Sequence, residues 1–341
     1  MFLREFMSQQ DLVIDTQTQP TLDAIRAQHS KLAPYVFTTP TQDRDVLADL
    51  SGTAINFKFE LLQASGTFKA RGAFSNLLAL SLKQHAAGVT CVSAGNHAVA
   101  VAYAAMKLGI SAKVVMIKTA SPFRVALCRQ YGAEVVMADN GAVAFEQVRH
   151  IEATEGRFFV HPFNGYHTVL GTATLGFEWA TQARALDAVI VPIGGGGLAA
   201  GVATAFKLVQ PECKVYGVEP EGADSMAQSF KTGGPIKMGA MQGIADSLMA
   251  PHTEAYSLNL CRQNIDELTT VSDDQIRQAM VVLFEELKLA PEPACAVATA
   301  ALLGPLRTKL QGKRVGVLLC GTNTDLGTLS KHLDAAKAAT A

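Results

Sequence analysis

Charge is scarce in this 341-residue chain: Asp, Glu, Lys and Arg together make up 17% of it, against roughly a quarter in ordinary soluble domains. The charge present balances, 29 basic residues against 30 acidic, for a formal net charge of -1. Neither a nucleic acid nor an anionic membrane is expected as a partner of so even a distribution. Paired cysteines are missing too. The six thiols (Cys91, Cys128, Cys213, Cys261, Cys295 and Cys320) are dispersed, with no CxxC pair and no histidine at zinc-finger spacing, which excludes a disulfide framework and a structural zinc site. They read as reduced core thiols, and the cytoplasm is the expected compartment. The N-terminal MFLREFMSQQ lacks the continuous apolar run of a secretory signal and is expected to be a loose leader. Internal repeats and low-complexity blocks are likewise absent.

Hydrophobic residues, at 49%, are plentiful enough to exclude disorder over most of the chain, and the length suits two domains or one large one. Residues 188–206 run nineteen positions without a charge. Gly194, Gly195, Gly196 and Gly197 sit at their centre, and four glycines in a row break a membrane helix into strand, loop and helix. Short apolar runs at 89–92, 113–117, 134–137, 188–193, 214–218 and 314–319 predict strands buried on both faces. Between them, alanine-rich segments at 98–108, 122–131, 142–154, 198–209, 273–287 and 294–310 carry helical period. Ser121 and Pro122 form a helix start, with Gly109 and Gly132 just past helix ends; the tail after His332 is expected to fray. This alternation predicts an α/β protein with two open, mostly parallel twisted sheets and helices on both faces.

The unusual loops fall directly after predicted strands, at 93–97, 194–197, 219–222 and 320–323. In open parallel sheets ligands bind beyond the carboxyl ends, so all four are expected to converge on one site. The tetraglycine loop points backbone N–H groups and a helix N-terminus outward, which favours a phosphate over the alternative of a merely tight turn. With neither GxGxxG nor GxxxxGKS present, a dinucleotide or nucleoside triphosphate is disfavoured. Lys69, between Phe68 and Ala70, is placed for desolvation that frees an amine for Schiff-base chemistry, although a solvated helix lysine fits the same residues. Ser93, Gly95, Asn96 and His97 open a helix whose free N–H groups suit a carboxylate; an ordinary cap remains the alternative, His97 reads as structural, and Cys320 reads as a buried thiol.

Taken together, the segments at 65–73 (SGTFKARGA), 93–98 (SAGNHA), 194–198 (GGGGL), 218–220 (VEP) and 320–323 (CGTN) resemble the serine/threonine dehydratase family. Its members are tryptophan-synthase-β-like, fold type II enzymes that use pyridoxal 5'-phosphate, and the likeness covers about residues 20 to 332. It implies that Lys69 holds the cofactor as a Schiff base, with Phe68 against the pyridine ring. Gly194, Gly195, Gly196 and Gly197 would bind its phosphate, Asn96 its phenolic oxygen, and Cys320 its ring nitrogen. Ser93, Ala94, Gly95, Asn96 and His97 would receive the substrate carboxylate. A small mobile substrate domain over 80–166 and a large cofactor domain over 1–79 and 167–341 are implied, with a homodimer common in the family. The implied activity is that of an ammonia-lyase converting an L-β-hydroxy-α-amino acid, such as serine or threonine, to a 2-oxo acid and ammonia.

Departures from the family pattern qualify this. Ala94 stands where the racemases carry serine, so racemisation is expected to be slow. Ser225 replaces an acidic ligand of the cation that some relatives hold beside Glu219, so no metal is expected, although Asp224 adjoins. Two segments near the substrate side, 171–174 (GTAT) and 245–247 (ADS), also differ, leaving larger β-substituents, phenyl or carboxylate, open. A β-replacement synthase is the nearest rival, and a protein that only binds a phosphorylated ligand is the rival from outside the enzymes. No C-terminal regulatory domain is expected after about residue 329.

Overall fold

A computed structural model describes residues 18–93 and 95–340; the predicted leader and Ala94 lie outside the described residues. Ten strands are present: β1 (Thr41–Arg44), β2 (Ala54–Lys58), β3 (Val89–Val92), β4 (Ala112–Ile117), β5 (Glu134–Ala138), β6 (Phe158–Phe159), β7 (Ala188–Pro192), β8 (Lys214–Pro220), β9 (Glu267–Val271) and β10 (Arg314–Leu318). They form a six-stranded sheet in the order β1-β2-β10-β7-β8-β9 and a four-stranded sheet in the order β5-β4-β3-β6. Every pairing is parallel except that of β1 with β2. This is the two-sheet α/β architecture expected, and it follows from strands such as β3 and β7 whose residues are all buried, leaving both faces to be covered by helices. The uncharged run at 188–206 divides as its glycines require, into β7, a loop, and helix Gly197–Val209. No helix among the described residues is long and apolar enough to cross a membrane.

Several expectations need correcting. The predicted helix over 294–310 is two pieces, Pro293–Leu303 and Arg307–Leu310, because Pro305 brings no N–H and follows a non-helical Gly304. The tail does not fray: helix Leu326–Thr340 continues past His332, with Leu329 and Ala336 buried and Lys337 paired to Glu285 at 3.0 Å. Ser121 is no side-chain cap. Strands β1, β2, β6 and β9 escaped the hydrophobic pattern. In β2, Asn56 interrupts the apolar run, yet it is buried at no cost in lost hydrogen bonds. Its side chain donates to Asp43 at 2.8 Å and accepts from Thr41 at 2.6 Å and from the Trp179 indole at 2.8 Å.

Candidate active site

A cavity of about 420 Å3 opens between the carboxyl ends of the two sheets. It is lined from the four-stranded side by Ser93, Gly95, Asn96 and His97, and from the six-stranded side by Phe68, Lys69, the four glycines and Cys320. Of the four loops expected there, three arrive. The fourth does not, because β8 runs on through Glu219 and Pro220, and the Glu219 carboxylate turns to the start of helix Ser225–Thr232. There it accepts from the backbone N–H groups of Met226 at 2.7 Å and Ala227 at 2.8 Å. The segment at 171–174 lies within helix Tyr166–Gln182, where Thr172 donates to the Gly197 carbonyl at 2.7 Å.

The Glu219 arrangement carries a test. Burial pushes its carboxyl up to about 8, from an ordinary value of 4.5, against the opposing pull of the two backbone bonds. A group whose pKa is raised on folding contributes stability that is complete below the unfolded value and lost as pH rises through the folded one. Glu219→Gln imposes a roughly constant penalty, since one N–H loses its acceptor, but no titration. The stability gap between parent and variant is therefore expected to shrink between about pH 5 and about pH 8.5, measured as thermal midpoints; a gap that widens with pH would overturn the reading.

Lys69 opens helix Lys69–Leu77. The approach to it is tight: Ser65 and Gly66 have φ of 63° and 75°, and a Cβ on Gly66 would lie 2.5 Å from the Asn323 amide oxygen, so glycine is required. Phe68 donates its backbone N–H to the Cys320 carbonyl at 3.2 Å, which ties the lysine to the loop after β10. Lys69 Nζ donates to the Pro162 carbonyl at 2.5 Å and lies 5.2 Å from the Phe68 ring centroid. Burial lowers its pKa from 10.5 to about 8, against the opposing influence of Cys320 and Glu292. Behind it, helix Lys69–Leu77 is anchored by Arg71, whose guanidinium bonds Glu60 at 2.5 and 3.1 Å and Glu178 at 3.0 Å.

The glycine run is a cradle that side chains could not share. A Cβ on Gly195 would sit 2.1 Å from the Phe163 ring, and one on Gly197 2.4 Å from the Phe163 carbonyl oxygen. Gly196 adopts φ of 90°. Among the described residues, the N–H groups of Gly194, Gly195 and Gly196 have no hydrogen-bond acceptor, and helix Gly197–Val209 starts there with its positive dipole end. Three free donors at a helix N-terminus are the chemistry of a phosphate site, so the residues present fit the phosphate of pyridoxal 5'-phosphate.

Opposite, helix Asn96–Leu108 starts from Gly95 with no side-chain cap; Ser93 Oγ accepts instead from Gly95 N at 3.1 Å. The His97 ring donates from Nε2 to the Val160 carbonyl at 2.8 Å, and burial, with Lys69 nearby, pushes its pKa down to about 3. It stays neutral at working pH. Cys320 also stays neutral, since its neighbour Cys295 and burial together hold the thiol far above its ordinary value.

Two participants, Glu292 and Arg124, went unread in the sequence. Asn96 donates to Glu292 at 2.6 Å and to Ser247 at 3.2 Å, and accepts from Asn323 at 3.0 Å. Glu292 is buried and accepts from Arg124 at 3.3 Å. Arg124 in turn donates to Asp246 at 2.6 Å and to the Asn323 carbonyl at 2.9 Å, so its charge is paired and it spans the cleft from helix Pro122–Gln130. A usable signal for Glu292 existed: it is the only charged residue between Lys288 and Arg307, and it is flanked by Pro291 and Pro293.

Residues 32–321 match the family described as pyridoxal-phosphate dependent enzyme. The chain is 71% identical over 320 residues to the phenylserine dehydratase of Ralstonia pickettii, covering 94% of this chain and 98% of that protein. It is 35% identical over 315 residues to the L-threonine ammonia-lyase of Thermotoga maritima, covering 92% and 78% respectively. Maize serine racemase superposes with a TM-score of 0.88 at 33% identity, over 95% of this chain and 99% of that one. The chain therefore belongs to the pyridoxal-phosphate dependent enzymes of fold type II, and its chemistry is that of their dehydratases and ammonia-lyases.

Proposed function

We propose that this enzyme dehydrates β-hydroxy-α-amino acids whose β-carbon carries an aryl group, 3-phenylserine being the representative, with release of the 2-oxo acid and ammonia. The observation that carries the reading is the wall left over in the cavity once the cofactor and carboxylate loops are set aside. Beside the polar group Arg124, Asp246, Ser247 and Glu292, it carries Val92, Ile117, Phe145, Met249, Ala250 and Pro251, without a polar side-chain atom among these six. Among the described residues, the cavity's only lysine and arginine are Lys69 and Arg124. Arg124 is neutralised by Asp246 and Glu292, so no free cation awaits a second carboxylate such as that of 3-hydroxyaspartate. A methyl group would leave much of that apolar surface wet. The relative at 71% identity is named for phenylserine.

When bound, pyridoxal phosphate supplies an electron sink that acidifies the substrate Cα–H and lets the β-hydroxyl leave. Lys69 anchors it and, at Nζ, accepts the Cα proton; a lysine with an ordinary pKa would hold its own proton too tightly for that. The glycine amides would hold the phosphate, and Asn96 would reach the phenolic oxygen by exchanging its longer bond to Ser247 for one to the cofactor. The N–H groups opening helix Asn96–Leu108 hold the substrate carboxylate, fixing which Cα bond faces Lys69. Cys320, a neutral thiol, would face the ring nitrogen and would give the ring no full positive charge, which would favour fast elimination over slower chemistry at Cα. The water lost at elimination returns at hydrolysis, so the 2-oxo acid and ammonia together balance the amino acid. The cytoplasm is the proposed compartment, in keeping with six free, buried cysteines.

The test is a panel of phenylserine, threonine, serine and 3-hydroxyaspartate assayed for 2-oxo acid. Phenylserine is expected to exceed threonine in kcat/KM by about a hundredfold, the discrimination that several buried methylene equivalents provide. Preference for threonine or hydroxyaspartate would sink the proposal. Incorporation of added thiol in place of oxo-acid release would instead reveal a β-replacement synthase.

A further inference from the structure

The apolar wall has two owners. Ile117 ends β4, and Phe145 lies on helix Gly141–Glu155, both belonging to the four-stranded sheet and its helices. Met241, Met249, Ala250 and Pro251 face them from the loops that precede helix Ala255–Asn264. Phe145 is partly exposed and packs against the core of its own sheet, while its ring lies 5.9 Å from the His252 ring across the cleft. His252 is in turn 5.5 Å from Phe163, the residue that fills the space above Gly195. An aromatic chain thus runs from the phosphate cradle to the far wall.

The groups behind that chain form a support. His252 Nε2 pairs with Glu254 at 3.1 Å, and His161 stands 3.9 Å from the same oxygen. Three such residues resemble a metal site, but His161 Nδ1 accepts the backbone N–H groups of Phe163 and Asn164 at 3.3 and 3.0 Å. Its remaining proton therefore sits on Nε2, leaving no lone pair for an ion. The cluster orients the His252 ring against Phe145 and Phe163.

From this placement we propose that Phe145 is the residue that determines specificity for the β-substituent, forming with Ile117 and Met249 a slot across the cleft that takes an aryl ring. The inference rests on the proposed aryl substrate and deepens it. Aromatic rings at such a wall gain both buried area and edge or offset stacking, and a substrate methyl group reaches neither.

Two measurements on the holoenzyme separate this inference from the reading it rests on. L-phenylalanine and L-alanine lack a β-leaving group, so their binding is read from the change in cofactor absorbance without turnover. The parent enzyme is expected to bind phenylalanine at least about tenfold more tightly than alanine, an advantage that Phe145→Ala abolishes and Phe145→Leu partly restores. In turnover, Phe145→Ala is expected to lower kcat/KM for phenylserine about thirtyfold while changing that for threonine less than about threefold. Retention of the phenylalanine advantage in Phe145→Ala overturns the role of Phe145, as does an equal loss for both substrates. If the parent prefers phenylalanine in binding yet fails to dehydrate phenylserine, the functional reading falls and the slot stands.

Discussion

Lys69→Ala is expected to yield a folded protein that stays colourless after pyridoxal phosphate is added and dialysed away, with 2-oxo acid formation reduced by at least about a thousandfold. The size of the effect follows from how few residues can substitute. Among the described residues that line the cavity the only other basic groups are Arg124, whose charge is paired with Asp246 and Glu292, and His97, which is neutral and committed to the Val160 carbonyl. Neither can take an amine's place. Burial sharpens the contrast: with a pKa of about 8, roughly a tenth of Lys69 is unprotonated at pH 7, against about one part in three thousand for an ordinary lysine. Burial of the amine therefore raises the reactive fraction by two to three orders of magnitude. The structural cost of the substitution is small, since Nζ has a single short bond to Pro162 O, so thermal stability is expected to fall little while the band at about 410 nm disappears. Persistence of that band in the dialysed variant, or oxo-acid formation within about tenfold of the parent, would place the chemistry elsewhere.

Much of this was legible before any coordinates, and the boundary between legible and hidden has a physical cause. Buried parallel strands are continuous apolar runs, so β3, β4, β5, β7, β8 and β10 stood out in the sequence. Apart from β6, which at two residues (Phe158–Phe159) is too short to form a run, the missed strands are those whose environment is not uniformly apolar. β1 is a polar edge, β9 alternates little and also lies at an edge, and β2 buries Asn56 and Lys58 because partners more than a hundred residues away satisfy them. The same holds at the site. Gly194 to Gly197 and Lys69 carry their chemistry in local pattern, as a glycine run or a lysine in apolar company does. Glu292, Arg124 and Asn323 do not, since each matters only through a bond to a residue brought near by folding. Long-range polar pairing has no sequence period. The 219–222 loop is misplaced for a local reason instead: β8 continues through Pro220, and the backbone N–H groups that draw Glu219 away from the cavity belong to the helix that follows seven and eight residues on.

The second large effect concerns the buried ions beneath Lys69. Lys58, Glu60 and Arg71 are fully buried and Glu178 nearly so, two charges of each sign. The cluster balances through Arg71 to Glu60 and Glu178 and through Lys58 to Glu178 at 2.6 Å. Thr39 adds a bond to Glu60 at 2.7 Å. Desolvation would raise the Glu178 carboxyl, but His29, Arg71 and Lys58 prevail and hold it down at about 2, so it is ionised at every pH at which the protein folds. Arg71→Leu removes one cation and leaves two buried carboxylates sharing Lys58. The expected destabilisation is about 3–5 kcal/mol, the cost of stranding a charge in the interior, a large share of the roughly 5–15 kcal/mol that holds a typical protein folded. Arg71→Lys is expected to recover only part, because an ammonium cannot make the forked contact to Glu60. The decisive comparison is Glu60→Leu combined with Arg71→Leu: charge balance returns through Lys58 and Glu178, and the double variant is expected to be more stable than Arg71→Leu alone. Urea midpoints rank the three proteins, and the cofactor band reports whether helix Lys69–Leu77 still presents its first residue to the cavity. A double variant less stable than the single one would show that the cluster acts through its individual bonds and not through its charge.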